Sequence, residues 1–185
     1  DYEDLKCLSD MVNDELTNPK FKNSFYKQTA DIDMKSQEFI PIGNGAKNNI
    51  VFAGNYDGNY HEINNLKVTG DSEYSGLFGK VGEAVNKNTN CQISNLIVNG
   101  NVNSESKYAG GIAGMLMYNS TIISSAFYGD VSATGTAGGI VGYIENGGTI
   151  DTCYHNGSVS AKNAGGVIGK ITTDAQNTNS VYVVS

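Results

Sequence analysis

One pattern occurs four times in this chain: YSGLFGKV (Tyr74–Val81), AGGIAGML (Ala109–Leu116), AGGIVGYI (Ala137–Ile144) and AGGVIGKI (Ala164–Ile171). The last glycines of the copies follow one another at steps of 35, 28 and 27 residues; they are Gly79, Gly114, Gly142 and Gly169. Periods of about 20 to 50 residues are typical of proteins built from stacked repeats. The sequence therefore predicts an array of similar units.

Further columns of residues keep this period. The first column is Ile63, Ile93, Ile122 and Ile150, each followed seven residues later by a glycine: Gly70, Gly100, Gly129 and Gly157. Two residues after these glycines the chain has Ser72, Val102, Val131 and Val159. Two more apolar columns are Leu77, Ile112, Ile140 and Val167, and Val81, Leu116, Ile144 and Ile171. Apolar residues at two-residue spacing indicate strands rather than a helix.

Stacking explains why the columns recur. A single unit cannot bury its own apolar face, but units stacked about 4.8 Å apart align like residues and bury continuous ladders. Parallel crossovers are right-handed in nearly all proteins. We therefore predict an all-β fold, a right-handed parallel β-helix (solenoid). The repeated glycines are expected at its corners, where the backbone has positive φ or approaches a neighbour closely.

Other repeat architectures do not fit. A propeller blade needs about 40 residues, helical-pair repeats need amphipathic helices, and leucine-rich repeats need an L-x-x-L-x-L-x-x-N frame. None of these features accompanies the four copies.

The two ends of the chain differ from its centre. Leu5, Leu8, Val12 and Leu16 share one helical face, Glu3 and Asp4 suit the positive end of a helix dipole, and Pro19 is expected to end the pattern. We predict a capping helix over 1–18, leading coils over 19–73 and repeats over 74–185, in one domain. Ser180–Val184 (SVYVV) is expected to begin another coil, in phase with Cys153 and Tyr154. Such an uncapped edge predicts a longer protein with neighbouring domains, or a partner, at this end.

A family resemblance rests on these segments. The G-[LI]-x-G copies, with NCQISNLIVNGNV (Asn90–Val102) and TIDTCYHNGSV (Thr149–Val159), resemble the GLUG repeats of bacterial secreted and surface proteins. FYKQTADIDM (Phe25–Met34), FIPIGN (Phe39–Asn44) and FAGNYDGNYHEINNLKV (Phe52–Val68) resemble the coils that precede such repeats. GLUG regions occur in adhesin-like proteins and as non-catalytic parts of larger enzymes, including some IgA-cleaving metallopeptidases. The resemblance implies a surface solenoid and specifies no ligand.

Composition excludes some partners. The net charge is −7 and all 12 basic residues are lysine. Dispersed negative charge disfavours nucleic acid, because phosphate binding needs basic patches. No run of 18 apolar residues exists in the sequence, so we expect no membrane insertion.

Cysteine and histidine are sparse in this chain. The three cysteines, Cys7, Cys91 and Cys153, form an odd set at different points of the repeat, so we expect buried thiols and no disulfide framework. His61 begins an imitation of a zinc-protease H-E-x-x-H motif, but Asn65 replaces the second histidine. The other histidine, His155, is expected on a different coil, so we predict no histidine-rich metal site and no cofactor.

Three aspartates are the best acidic candidates. Asp31 and Asp33 in ADIDM share a strand face, and Asp57 lies in the YDGN turn. They could bind calcium or share a proton. Alternatively they cap turns through hydrogen bonds to the backbone, which is the interpretation we favour. The sequence does not decide whether they bind calcium.

The repeat surface bears on three function classes: polysaccharide cleavage, ice binding and contact with a carbohydrate or protein. Catalytic β-helices that cleave uronate polysaccharides need several charged groups on one face, and this chain has no arginine and no charged column. Ice binding needs a threonine ladder, but the Thr134 and Thr136 pair does not recur in neighbouring copies. Five tyrosines either line a flat carbohydrate or protein contact or pack half-buried on the flank; they are Tyr108, Tyr118, Tyr128, Tyr143 and Tyr154.

The sequence therefore favours a non-catalytic module of a secreted or surface-attached bacterial protein, acting in adhesion, ligand binding or spacing. Its partner would be a host protein or a glycan, and its location extracellular. The alternatives are a polysaccharide-active β-helix enzyme, of lyase or hydrolase type, and a non-catalytic region of a secreted metallopeptidase. We assign no catalytic, cofactor or metal residues.

Overall fold

The chain forms a parallel β-solenoid of about five coils, preceded by a short helix. The computed structural model describes residues 1–44, 50–83, 91–172 and 181–184, the last of these by its backbone. Each complete coil passes through four sheets in turn, and every strand pair between described residues is parallel. The predicted β-helix architecture is therefore confirmed.

The four sheets run along the stack, and we number them in the order in which a coil visits them. Sheet 1 contains β1 (Phe25–Lys27), β3 (Asn55–Asp57), β7 (Gln92–Ser94), β11 (Thr121–Ile123), β16 (Gly148–Asp151) and β21 (Val181–Val184). Sheet 2 contains β2 (Ile32–Asp33), β4 (Glu62–Val68), β8 (Ile97–Asn103), β12 (Ala126–Tyr128), β13 (Val131–Ser132), β17 (Tyr154–Asn156) and β18 (Val159–Ser160). Sheet 3 contains β5 (Tyr74–Ser75), β9 (Tyr108–Gly110), β14 (Thr136–Gly138) and β19 (Asn163–Gly165). Sheet 4 contains β6 (Phe78–Val81), β10 (Ala113–Met117), β15 (Val141–Glu145) and β20 (Ile168–Thr172).

Two of the predicted apolar columns are files of stacked residues. Leu77, Ile112 and Ile140 are fully buried in the core, and Val167 packs against it in the last coil. Backbone bonds link this file, because Ile112 N–H donates to Ile140 and Ile140 N–H donates to Val167. In sheet 4, Leu116 pairs with Val81 on one side and Ile144 on the other, and Ile144 pairs with Ile171. These ladders form the core of the solenoid as far as Ile144, whereas Ile171 is 47% exposed, contrary to the predicted column.

The last glycines of the four copies do not lie at corners, which corrects our expectation for them. Gly129, in the other repeated set, has a φ of 143° between β12 and β13. Gly79, Gly114, Gly142 and Gly169 lie inside the strands of sheet 4, without positive φ. They allow a close approach instead. A Cβ atom on Gly142 would lie 2.7 Å from the carbonyl oxygen of Ala109 in sheet 3. The narrow separation of the two sheets is why this position lacks a side chain.

The corners between sheets 1 and 2 are made by other residues. Asn95, Ser124 and Thr152 follow the aligned strands β7, β11 and β16, and have φ of 52°, 50° and 51°. This left-handed conformation reverses the side-chain alternation at the corner, and asparagine adopts it more readily than threonine.

The predicted column of isoleucines is wrong at its first member, because Ile63 does not align with Ile93. Ile63 pairs with Val98, while the residue beside Ile93 is Tyr56. In the same way Val68, rather than Ser72, pairs with Val102, so Gly70 is not aligned with Gly100. The connection from β6 to β7 is longer than the one from β10 to β11. The extra residues increase the sequence distance between aligned residues of the two coils, so counting residues aligns the wrong pair. A bulge between Ile63 and Leu66 adds a further shift.

The N-terminal helix caps the first coil. Helix α1 (Tyr2–Asn13) carries Glu3 and Asp4 in its first turn and buries Leu5, Leu8 and Val12 in the solenoid core. Hydrogen bonds fix it there, since Ser9 Oγ donates to the carbonyl of Ile40 at 2.7 Å. The expected helix and its packing are confirmed over these residues.

Leu16 does not belong to the helix, contrary to our expectation. It is 92% exposed, because Asp14 adopts an extended conformation and its carboxylate accepts hydrogen bonds from the N–H groups of Leu16 and Thr17. Pro19 does not end a helix either. It lies in the first turn of a second short helix, α2 (Asn18–Phe21), where a missing N–H has no cost.

Strand β21 starts another coil, but not in the expected phase. It pairs with β16, placing Val183 beside Ile150 rather than beside Cys153 and Tyr154. No helix in the described parts of the chain has the length and apolarity needed to cross a membrane.

Candidate functional site

The outer face of sheet 2 combines exposed aromatic and amide side chains. Val98 and Phe127 point into the core and are fully buried, so their strand neighbours point outward. The outward residues form two files along the stack. One file is Ile97, Ala126 and Tyr154, and the other is Asn99, Tyr128 and Asn156.

Two tyrosines protrude from this face. Tyr128 is 40% exposed and Tyr154 is 54% exposed. Their ring centroids lie 5.8 Å apart with an angle of 57° between the planes. Ala126 lies next to Tyr154 in its file and two residues before Tyr128, so the side chain at the position beside both tyrosines is a methyl group. We call the surface formed by Ala126, Tyr128, Tyr154 and Asn156 the tyrosine notch.

The side-chain hydrogen-bonding groups of the notch have no partner among the described residues, whereas several polar side chains around it are paired. The hydroxyls of Tyr128 and Tyr154 and the amide of Asn156 bond to no other described residue. Nearby, Asn99 Nδ2 donates to Asn64 Oδ1 at 2.8 Å, and Ser132 Oγ donates to Asn103 Oδ1 at 3.1 Å. Asn99 and Ser132 therefore take part in bonds between coils, whereas the notch side chains have no such bond among the described residues.

The five tyrosines divide between the two alternatives that the sequence left open. Tyr108 and Tyr143 are buried in a second hydrophobic cluster with Met115 and Met117, and Tyr118 packs against it. Tyr108 stacks on Tyr143 with centroids 4.6 Å apart. Lysines cover these rings, with Lys170 Nζ 5.5 Å from the Tyr143 centroid. Burial raises the pKa of Tyr143. Only Tyr128 and Tyr154 of the five are exposed.

Asp33 and Asp57 cap turns, whereas Asp31 joins two coils. Asp31 Oδ1 accepts from the N–H of Glu62 at 3.0 Å, and Asp33 Oδ1 accepts from the N–H of Lys35 at 2.8 Å. Asp57 Oδ1 accepts from the N–H of Asn59 and from Asn95 Nδ2. These bonds agree with the favoured structural interpretation.

The same hydrogen bonds lower the pKa of each aspartate. Glu62 N–H is the main cause at Asp31, with a smaller effect of His61, whose Nδ1 lies 3.1 Å away. The amides of Asn65 and Asn95 are the main causes at Asp33 and Asp57. Across the described residues, no group of three or more His, Cys, Asp and Glu side chains is placed to hold a metal ion.

These pKa shifts predict acid sensitivity. The pKa of Asp57 is lowered in the folded chain, so its contribution to stability is present above its unfolded pKa of about 3.9 and is lost as the pH falls through the folded value. Asp57→Asn keeps an acceptor oxygen but cannot titrate. We expect its free energy of unfolding to fall less than that of the wild type between about pH 5 and pH 3, measured by urea unfolding. Parallel curves for the two proteins would contradict this role.

The cysteines are separate free thiols. Cys91 is buried, with its Sγ 2.8 Å from the carbonyl oxygen of Gly54, and burial raises its pKa to about 12. Cys153 is partly buried and packs against the core. Cys7 is exposed on α1, which corrects the expectation that all three thiols are buried. The raised pKa of Cys91 disfavours a nucleophilic role.

The histidines lie on different coils, as expected. His61 precedes β4, whereas His155 lies in β17 and stacks on Phe127 with centroids 6.0 Å apart. His155 Nε2 also lies 3.0 Å from the carbonyl oxygen of Gly129. It fills an inward position of the last coil.

The threonine pair does not form a flat ladder. Thr136 is buried and pairs with Tyr108 and Asn163, while Thr134 is exposed. The two threonines therefore do not provide the regular exposed ladder that ice binding needs.

Two grooves lie near the N-terminal end. One, of about 230 Å³, separates α1 from the first coil and is lined mainly by apolar groups such as Leu5, Leu8 and Tyr56. The other, of about 320 Å³, lies beside Phe39, Val68 and Ser75. The first groove is also lined by Asp1 and Asp4, which form the capping box of α1, and by Lys27. The second groove is also lined by Glu38.

Comparisons with protein-family models, with curated proteins and with solved structures found no match. The resemblance to GLUG repeats therefore stays a prediction.

The sequence did not single out Ala126 and Asn156. The sequence feature that could have identified them is the 28-residue step, which aligns Ala126 with Tyr154 and Tyr128 with Asn156. Combined with strand alternation, this step places all four residues on one outward face.

Proposed function

We propose that this chain is a non-catalytic contact and spacing module of a secreted or surface-attached bacterial protein. The observation that carries the proposal is the tyrosine notch, where two exposed aromatic rings lie on one sheet face with an amide that has no partner among the described residues. Exposed tyrosines combine an apolar ring with a polar hydroxyl, which suits recognition at a surface. The notch would be the contact surface.

The solenoid supports the spacing role. Its ladders of buried aliphatic residues make each coil depend on its neighbours, so the stack is stiff. Five coils at about 4.8 Å extend roughly 20 Å along the axis. The module would hold the notch at a defined distance from its attachment.

The polar groups of the chain support a non-catalytic role. The aspartates with the strongest sequence signal accept hydrogen bonds that close turns and join coils. A carboxylate used in this way is held in its ionised form and is a poor proton donor. The extracellular location is supported by the resemblance to GLUG repeats alone.

A binding assay on defined surfaces tests this proposal. The chain is applied to coats of mucin and of fibronectin, and the bound amount is measured by surface plasmon resonance. We expect saturable capture by at least one coat, reduced about tenfold or more by the Tyr128→Ala and Tyr154→Ala double variant. Tyr60→Ala is the matched control, because Tyr60 is 68% exposed but lies at the corner before β4.

Two results would contradict the proposal. One is equal capture of the wild type and the double variant on every coat that binds. The other is steady release of unsaturated products from polygalacturonate or alginate, followed by their ultraviolet absorbance, which would identify a lyase.

A further inference from the structure

We infer that the tyrosine notch binds a neutral pyranose ring of a glycan chain. This inference rests on the proposed function and specifies its ligand. It depends on the shape of the notch, on the hydrogen-bonding groups at its rim and on the charges around it.

The shape suits one sugar ring. The Tyr128 and Tyr154 planes are inclined by 57°, and Ala126 occupies the position next to both. The two rings are thus inclined to each other on the face that also carries the Ala126 methyl group. The C–H face of a pyranose is apolar and close in size to a tyrosine ring, so it can cover the aromatic surface there.

The rim supplies the polar contacts that a sugar needs. Asn156 lies two residues after Tyr154 on the same outward face, and its amide both donates and accepts. The hydroxyls of Tyr128 and Tyr154, which have no partner among the described residues, have the same dual capacity. Sugar hydroxyls also donate and accept, so each group in the notch can find a partner.

The surrounding charges favour a neutral ligand. The nearest charged residues along the two strand faces are acidic. Asp130 follows Tyr128 by two residues, and its Oδ1 accepts from Ser158 N–H and Oγ. Glu62 pairs with Ile97 in the file that contains Ala126 and Tyr154. These carboxylates would repel a uronate or a sialic acid, because no described lysine lies in either of the two files of outward residues.

The size of the patch favours a sugar over a protein. A stable protein interface buries about 800 Å² on each partner and has an apolar centre. The exposed apolar surface here comes from two tyrosine rings with Ala126 and Ile97, surrounded by paired asparagines and serines. A single glycan unit fits this area without leaving the paired groups buried.

Titration with defined oligosaccharides tests the inference. The probes are cellotetraose, chitotetraose, mannotetraose and galactotetraose, with tetragalacturonate as the anionic comparator. Binding is measured by calorimetry and by backbone amide shifts of the labelled protein. We expect at least one neutral probe to bind, to shift amides in β12 and β17, and to bind more tightly than tetragalacturonate.

Single variants then locate the site. Tyr154→Ala and Tyr128→Ala should each weaken binding about fivefold or more, while Tyr154→Phe should retain most of it because the ring remains. Tyr60→Ala should bind as the wild type does. Binding by none of the neutral probes, tighter binding of tetragalacturonate, or unchanged affinity in both alanine variants would overturn the inference.

Failure of this inference can be separated from failure of the proposed function. The same mucin and fibronectin coats are treated with glycosidases before capture is measured. Capture that survives glycan removal but is lost in the Tyr128→Ala and Tyr154→Ala double variant would show a protein partner. The contact module would then stand, and the sugar ligand would be excluded.

Discussion

Replacing Ile140 with aspartate should abolish cooperative unfolding. Ile140 is fully buried, its N–H donates to the carbonyl of Val167, and its own carbonyl accepts from Ile112 and Ala113. The new carboxylate would enter the ladder without a partner. Burying an unpaired charge costs several kcal/mol even when the group protonates, which is comparable with the total stability of about 5 to 15 kcal/mol of a typical domain.

Circular dichroism during thermal and urea unfolding measures this effect. Ile140→Val is the control, because it removes one methylene at the same site and should cost only about 1 kcal/mol. Unfolding at two pH values separates the effect of the buried charge from the effect of the changed side-chain shape. Burial raises the pKa of an aspartate, so the deficit relative to the wild type at the same pH should be smaller at pH 4 than at pH 7. A sigmoidal unfolding transition of Ile140→Asp near the wild-type midpoint at pH 7 would contradict the buried position of this residue in the ladder.

Gly142→Ala should destabilise the chain by about 3 kcal/mol. The added Cβ would lie 2.7 Å from the carbonyl oxygen of Ala109 and 2.8 Å from its carbonyl carbon and nitrogen. All three atoms belong to the backbone of β9, which is itself paired on both sides with β5 and β14. The contact can be relieved only by moving sheets 3 and 4 apart, and overpacking of this kind costs about 1 to 3 kcal/mol or more.

Gly166→Ala provides the matched control. It introduces the same methyl group in the fourth copy of the pattern, where a Cβ would meet no atom of the described residues within 4 Å. Its stability should stay within about 0.5 kcal/mol of the wild type, with a slight gain if the unfolded chain loses freedom. Urea midpoints measured with a constant m-value compare the two variants. Similar midpoints for both would show that the glycines are not needed for the close approach.

The sequence alone predicted the parts of this protein that depend on local order and regular spacing. The aliphatic columns through Ile112 and Leu116 predicted stacked parallel strands, because identical spacing in consecutive coils brings like residues together. The apolar face of Leu5, Leu8 and Val12 predicted the capping helix. The aspartates predicted turn capping, which needs only residues near in sequence or one coil away.

The alignment of the leading coils depended on tertiary structure. The glycine column has a first step of 35 residues, whereas the column beginning at Ile63 has a first step of 30. This disagreement signalled extra residues between the two columns, but not where they lie. The pairing of Ile63 with Val98 became clear only from the strands themselves, because a bulge also shifts the register there.

Only tertiary structure decided where the glycines and tyrosines lie. Gly142 is needed because a strand of sheet 3 passes close to it, and that approach joins parts of two different coils. Tyr143 and Tyr154 are of the same type and close in sequence, yet one is buried in a stack and the other exposed beside Tyr128. The exposure of the two side chains differs because strand alternation and coil register together set the direction of each side chain. The register is a property of the whole stack.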